Sequence, residues 1–143
     1  MNTEKIVYKS GDKSFEGFLA QPEGDSNPCV LIAHTWAGRD AFVEDKAKLL
    51  TELGYAAFAI DMYGDGKIGE SNEENQSMMQ PLLDDREELA RLVLASLEAV
   101  TKIESIDSNK IVIMGYCFGG LVAMDLARTG AGIKGAISFH GFL

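Results

Sequence analysis

Gly115-Tyr116-Cys117-Phe118-Gly119-Gly120 sets a cysteine between an apolar run, Ile111-Val112-Ile113-Met114, and an Ala/Leu-rich stretch of helical character. A residue held in such a sharp strand-to-helix turn stands at the end of a sheet. Glycines two before and two after it remove the Cβ atoms that would collide there. The first backbone N–H groups and the positive end of the following helix favour thiolate over thiol. The chemistry on offer at Cys117 is attack of sulfur on a carbonyl carbon. The alternative is a small buried cysteine filling a turn, and the agreement of glycines, strand and helix favours the nucleophile.

Such an attack needs donors for the oxyanion that forms. The backbone N–H of Phe118, directly after the cysteine, is the first. The loop His34-Thr35-Trp36-Ala37-Gly38-Arg39-Asp40 follows a strand and should face the turn, so Trp36 or its neighbour is expected to supply the second. That role uses only the backbone and is compatible with an indole that packs the loop.

The two histidines, His34 and His140, fall at or near strand ends, where α/β active sites gather. Each is a candidate base, although a histidine just after a buried strand more often fixes a loop by hydrogen bonding. Together with Asp61 and Cys117 they show no metal-ligand spacing, so no metal is expected. Arg39, Arg86 and Arg91 suit a substrate carboxylate, although surface or helix ion pairing is the simpler role. Gly64-Asp65-Gly66-Lys67-Ile68-Gly69 matches G-x-G-x-x-G after a strand, but Glu70, Glu73 and Glu74 follow and no helix is evident there, so it reads as a loop. Gly130-Ala131-Gly132-Ile133-Lys134-Gly135 stands after a helix and before a strand, the reverse order, and reads as a helix stop. No cofactor is expected.

The elements that must position these residues are legible as alternating strands and helices. Ile6–Tyr8 and Phe15–Ala20 flank a polar turn and form an opening antiparallel hairpin at a sheet edge. Cys29–His34 is a continuous apolar run suited to a strand covered on both faces, with Cys29 as core filler. Asp40 suits the N-cap of a helix that turns Ala47, Leu50 and Leu53 inward and stops at Gly54. Tyr55–Ile60 is the next strand. Asp61–Gln80 reads as a surface excursion, and Pro81–Ile103 as the longest helix. The strand Ile111–Met114, the helix Gly119–Arg128 and a short strand Ala136–Phe139 complete an α/β pattern.

At 143 residues and 46% hydrophobic, the chain suits a single domain, 1–143, with a real core. The formal charge of −9 argues against a nucleic-acid binder. No basic leader precedes an apolar core at the N-terminus and no run is long enough for a bilayer, so a soluble cytoplasmic protein is expected, with Cys29 and Cys117 as reduced thiols.

With the elbow, the His34–Asp40 loop, Asp61-Met62-Tyr63-Gly64 and Ser138-Phe139-His140-Gly141 in this order, the chain resembles the dienelactone hydrolase family of α/β hydrolases over essentially all 143 residues. The resemblance implies a three-layer fold, its mostly parallel sheet opened by the antiparallel hairpin. It also implies hydrolysis of a small lactone or ester through a cysteinyl acyl-enzyme, with Cys117 as nucleophile and Trp36 and Phe118 as oxyanion donors. Thr35 stands where the family has a glutamate that interacts with the resting thiol. The family's catalytic aspartate and histidine follow later strands, beyond the region matching this sequence, so the domain is expected to be incomplete after about the sixth strand. His140 matches the sixth-strand segment and not that histidine.

The expected strand edge at Ala136–Phe139 then calls for cover by a complementary C-terminal fragment, a homo-oligomer contact or an exchanged element. A different class of function is a non-catalytic interaction domain that binds a partner through this edge. Rapid, pH-dependent alkylation of Cys117 separates the two, because it belongs to the enzyme.

Overall fold

A strand whose consecutive residues are all apolar needs cover on both faces. Strand β3 (Asn27–Ala33) has it in the computed structural model of the chain, which describes residues 1–142. Leu143, the last residue of the expected domain, lies outside the described residues. Side chains alternate between the faces of a strand, and this divides the interior into two cores. Cys29, Leu31 and Ala33 point into one, Val30 and Ile32 into the other. Strand β4 (Ala56–Ala59) divides in the same way, with Ala56 and Phe58 against Ala57 and Ala59.

Helix α1 (Ala41–Thr51) covers the second core with Val43 and Ala47. Helices α2 (Asn72–Asp84), α3 (Arg86–Thr101) and α4 (Phe118–Arg128) cover the first, with Met79, Leu89, Val93 and Leu126 among the buried residues. The result is the expected three-layer α/β architecture. Strands β1 (Asn2–Ser10) and β2 (Lys13–Gln21) form the opening hairpin, and β5 (Ile106–Tyr116) and β6 (Ala136–Phe139) complete a six-stranded sheet in the order β1-β2-β4-β3-β5-β6. The β1/β2 and β2/β4 pairs are antiparallel; β4/β3, β3/β5 and β5/β6 are parallel.

Several elements differ from the sequence reading. The hairpin strands and β5 extend beyond their apolar cores, because backbone pairing continues where side chains are exposed. The long helix expected over Pro81–Ile103 is two helices. Asp85, at φ −135° and ψ 81°, ends α2 and caps α3 by accepting the Glu88 N–H at 3.1 Å. The expected excursion over Asp61–Gln80 contains most of α2, which opens after the Gly64–Gly69 loop at Ser71, whose hydroxyl accepts the Glu74 N–H at 3.1 Å. Glu73 and Glu74, whose charge argues against a bound pyrophosphate, lie in its first turn, where they meet the positive end of the dipole. Pro81 lies in the last turn of α2 rather than at the start of a helix.

Asp40 occupies the N-cap position of α1 without a side-chain cap bond. Leu53 is 72% exposed, because α1 ends at Thr51 and Leu53 sits in the turn beyond it. Replacement of the fully buried Leu31 by alanine is expected to cost about 2–5 kcal/mol in urea unfolding, whereas Leu53→Ala stays within about 0.5 kcal/mol.

Candidate active site

β5 passes into α4 through Cys117 alone, which adopts φ 58° and ψ −117°. A non-glycine residue in this region costs on the order of 1–3 kcal/mol and persists only where its surroundings hold it. Here the Cys117 N–H donates to the Phe139 carbonyl of β6 at 3.0 Å, and the Cys117 carbonyl accepts the Gly120 N–H at 2.9 Å. A Cβ at Gly115 would strike the Gly119 carbonyl, and one at Gly119 would strike the Ala33 and His34 carbonyls. The first turn of α4 therefore lies directly against the ends of β5 and β3, and no larger residue fits. Cys117 is half-buried at this junction. Cys29 is core, and burial pushes its thiol up to about 12.

The loop after β3 is pinned residue by residue. His34 is fully buried and uses both ring nitrogens: Nδ1 lies 2.7 Å from the Thr35 carbonyl, and Nε2 lies 3.0 Å from the Met62 amide nitrogen. The Met62 N–H can only donate, so Nε2 is the acceptor and the proton sits on Nδ1. Burial holds this imidazole below its ordinary 6.5, against the Thr35 hydrogen bond and the charges of Asp61 and Asp40. A neutral ring with both nitrogens occupied is a loop fixer and has no free nitrogen for a base. The Thr35 hydroxyl accepts the Ala37 N–H at 3.2 Å.

Trp36 and Phe118 each contact Tyr63. The Tyr63 hydroxyl donates to the Trp36 carbonyl at 2.8 Å, while its ring stacks on Phe118 at 6.0 Å and lies 4.9 Å from His34. Burial first, and the neighbouring Cys117 second, push the phenol up, so it stays a donor. Asp61 holds the Tyr63 loop: its carboxylate accepts the backbone N–H groups of Glu16, Tyr63, Gly64 and Gly66 at 2.8–3.0 Å. The sequence reading gave Asp61 and Tyr63 no role of their own. The aspartate followed by Gly64 and Gly66 is a local signal for a side-chain-capped turn.

His140 follows β6 at φ 44° and is exposed. The three candidate arginines, Arg39, Arg86 and Arg91, are each paired within the chain. Arg39, 3% exposed, binds Glu16 and Glu44 at 2.9 and 2.8 Å, so its ion pairing is buried and not superficial. Arg91 pairs with Glu88. Arg86 grips Asp125 through two bonds of 2.6 and 2.7 Å, and Arg128 adds a third. Burial opposes ionisation of Asp125, and the two guanidinium groups outweigh it, leaving its carboxyl below the usual range.

The model of the dienelactone hydrolase family matches residues 15–143. Carboxymethylenebutenolidase of Pseudomonas putida is 27% identical over 153 residues, an alignment covering 99% of this chain and 62% of the relative. The solved structure named m3DLH superposes with a TM-score of 0.94 at 31% identity, covering 99% of this chain and 60% of its own. P91, described as a dienelactone hydrolase-like promiscuous phosphotriesterase from metagenomic libraries, gives 0.93 at 30% identity, covering 99% and 60%. The chain thus spans 60–62% of the length of these relatives.

The buried neutral histidine carries a pH signature. The unfolded chain binds a proton at His34 near pH 6.5, while the native chain binds it only at lower pH. Stability is therefore lost as pH falls through that window. Asp125 adds its own loss only below about 3.8. Urea midpoints measured from pH 7 to pH 5 should decline, and His34→Asn should flatten the decline.

Proposed function

This chain belongs to the dienelactone hydrolase family, and on that premise we propose that it carries the nucleophilic part of a cysteine-dependent hydrolase of a small carboxylic ester or lactone. The observation that supports this most is the strained Cys117 turn, held by glycines that admit no Cβ and aimed by the start of a helix. In the proposed reaction the Cys117 thiolate attacks the carbonyl carbon, and the carbonyl oxygen takes the negative charge. The N–H groups of Trp36 and Phe118 receive it. Collapse expels the alkoxide, which takes a proton, and leaves a thioester on Cys117. Water then cleaves the thioester and frees the acid. For a lactone, the departing alkoxide stays tethered to the acyl group.

A base must take the thiol proton, deliver it to the leaving oxygen and activate the water. His34 is occupied on both nitrogens and does not serve as that base; in this reading the base and its orienting carboxylate come from outside these 143 residues, as the family resemblance implies. The half-exposed Ile137 and Phe139 on β6, the last strand of the sheet, fit cover by a complementary segment or a second copy. The ester or lactone class is carried over from the Pseudomonas putida relative, whose name denotes a butenolide. Two free cysteines fit a reducing cytoplasmic setting.

Incubation of the chain with p-nitrophenyl acetate should give a stoichiometric burst and one acetyl group on the Cys117 peptide by mass spectrometry, followed by slow release. Cys117→Ala should remove the adduct and lower the burst rate by roughly 10³-fold or more. An unmodified Cys117 in the folded wild type would instead support the non-catalytic interaction domain.

A further inference from the structure

The N–H of Trp36 belongs to the same peptide group as the carbonyl of Thr35. In a trans peptide the two point in opposite directions, so whatever grips the carbonyl aims the N–H. The chain has no cis peptide bonds among its described residues. Two donors grip the Thr35 carbonyl: His34 Nδ1–H at 2.7 Å and the Gly38 N–H at 3.2 Å. The next peptide is also held at both ends, its Trp36 carbonyl by the Tyr63 hydroxyl and its Ala37 N–H by the Thr35 hydroxyl. His34 in turn is anchored by the Met62 N–H, which arrives from the end of β4. A carbonyl that accepts a strong hydrogen bond also makes its own amide a better donor.

Resting on the reading above, we propose that His34 is a positioning residue of the reaction. As a neutral Nδ1–H donor it aims and polarises the Trp36 N–H toward the developing oxyanion, with Tyr63 locking the following peptide. His34 moves no proton; its contribution is made when charge builds on the substrate oxygen. Around its ring stand Asp61, Asp40, Arg39, Tyr63 and Phe118, and none of them displaces the two backbone partners.

Asparagine and glutamine separate this role from simple packing. The asparagine amide can place an N–H where Nδ1 stands, whereas glutamine places its amide near the Nε2 position and loses the grip on Thr35. Cys117 acylation by p-nitrophenyl acetate is measured beside alkylation by iodoacetamide, which forms no oxyanion. His34→Asn should acylate within about threefold of wild type and His34→Gln about 10²-fold more slowly, with alkylation unchanged in both. Tyr63→Phe, which keeps the ring, should also slow acylation alone and should raise acrylamide quenching of Trp36, the single tryptophan. Equal acylation in all variants, or parallel loss of acylation and alkylation, overturns the proposal. The imidazole ¹⁵N spectrum of the wild-type chain should show the Nδ1–H tautomer, and an Nε2–H tautomer overturns it as well. A wild type that is alkylated but never acylated refutes the hydrolase reading instead, and the tautomer and Trp36 quenching then decide whether His34 and Tyr63 position the loop.

Discussion

The carboxyl end of the sheet is organised by the contact between the first turn of α4 and the backbone of β3. Gly119 lies so close to the Ala33 and His34 carbonyls that a single carbon added there would collide. This approach fixes the separation between the Cys117 elbow and the loop after β3. The positive φ of Cys117 follows from the same contact, because a helix brought this near to β3 leaves the chain only one residue in which to turn. Close packing and the backbone hydrogen bond from Cys117 to Phe139 hold the arrangement.

A second layer of restraint comes from β4. Asp61 gathers four backbone N–H groups, and the loop it shapes then delivers Met62 to His34 and Tyr63 to Trp36. Tyr8 closes the far side by donating to the Asp61 carbonyl and accepting the Asp61 N–H. Buried polar groups of this kind stabilise only when every member is satisfied, and here the imidazole, the phenol and the carboxylate each have partners. The loops after β3 and β4 are therefore held to each other by satisfied partners.

What was legible in the sequence was local. The glycine spacing around Cys117 and the uninterrupted apolar runs of β3 and β4 state their own structural demands within a few residues, and the relatives' fold agrees with them. α2 was missed although Ser71 and Glu74 stand at capping-box spacing, because their charge was weighed against a phosphate and not in favour of a helix. Pro81 drew the helix boundary to the wrong place, since a proline suits a first turn better than a last one. The partners of His34 were illegible for a different reason. Met62 lies 28 positions along the chain, and only the parallel pairing of β3 with β4 brings it alongside.

The hydrogen bond from the Cys117 amide to the Phe139 carbonyl ties the elbow to the outermost strand. Tyr116 stacks on Phe139 at 4.9 Å and meets Phe42 edge-on, so the same strand is also coupled to the start of α1. Thermodynamic linkage makes this connection reciprocal. An element that binds β6 and favours one position of the Phe139 carbonyl also biases the backbone of Cys117.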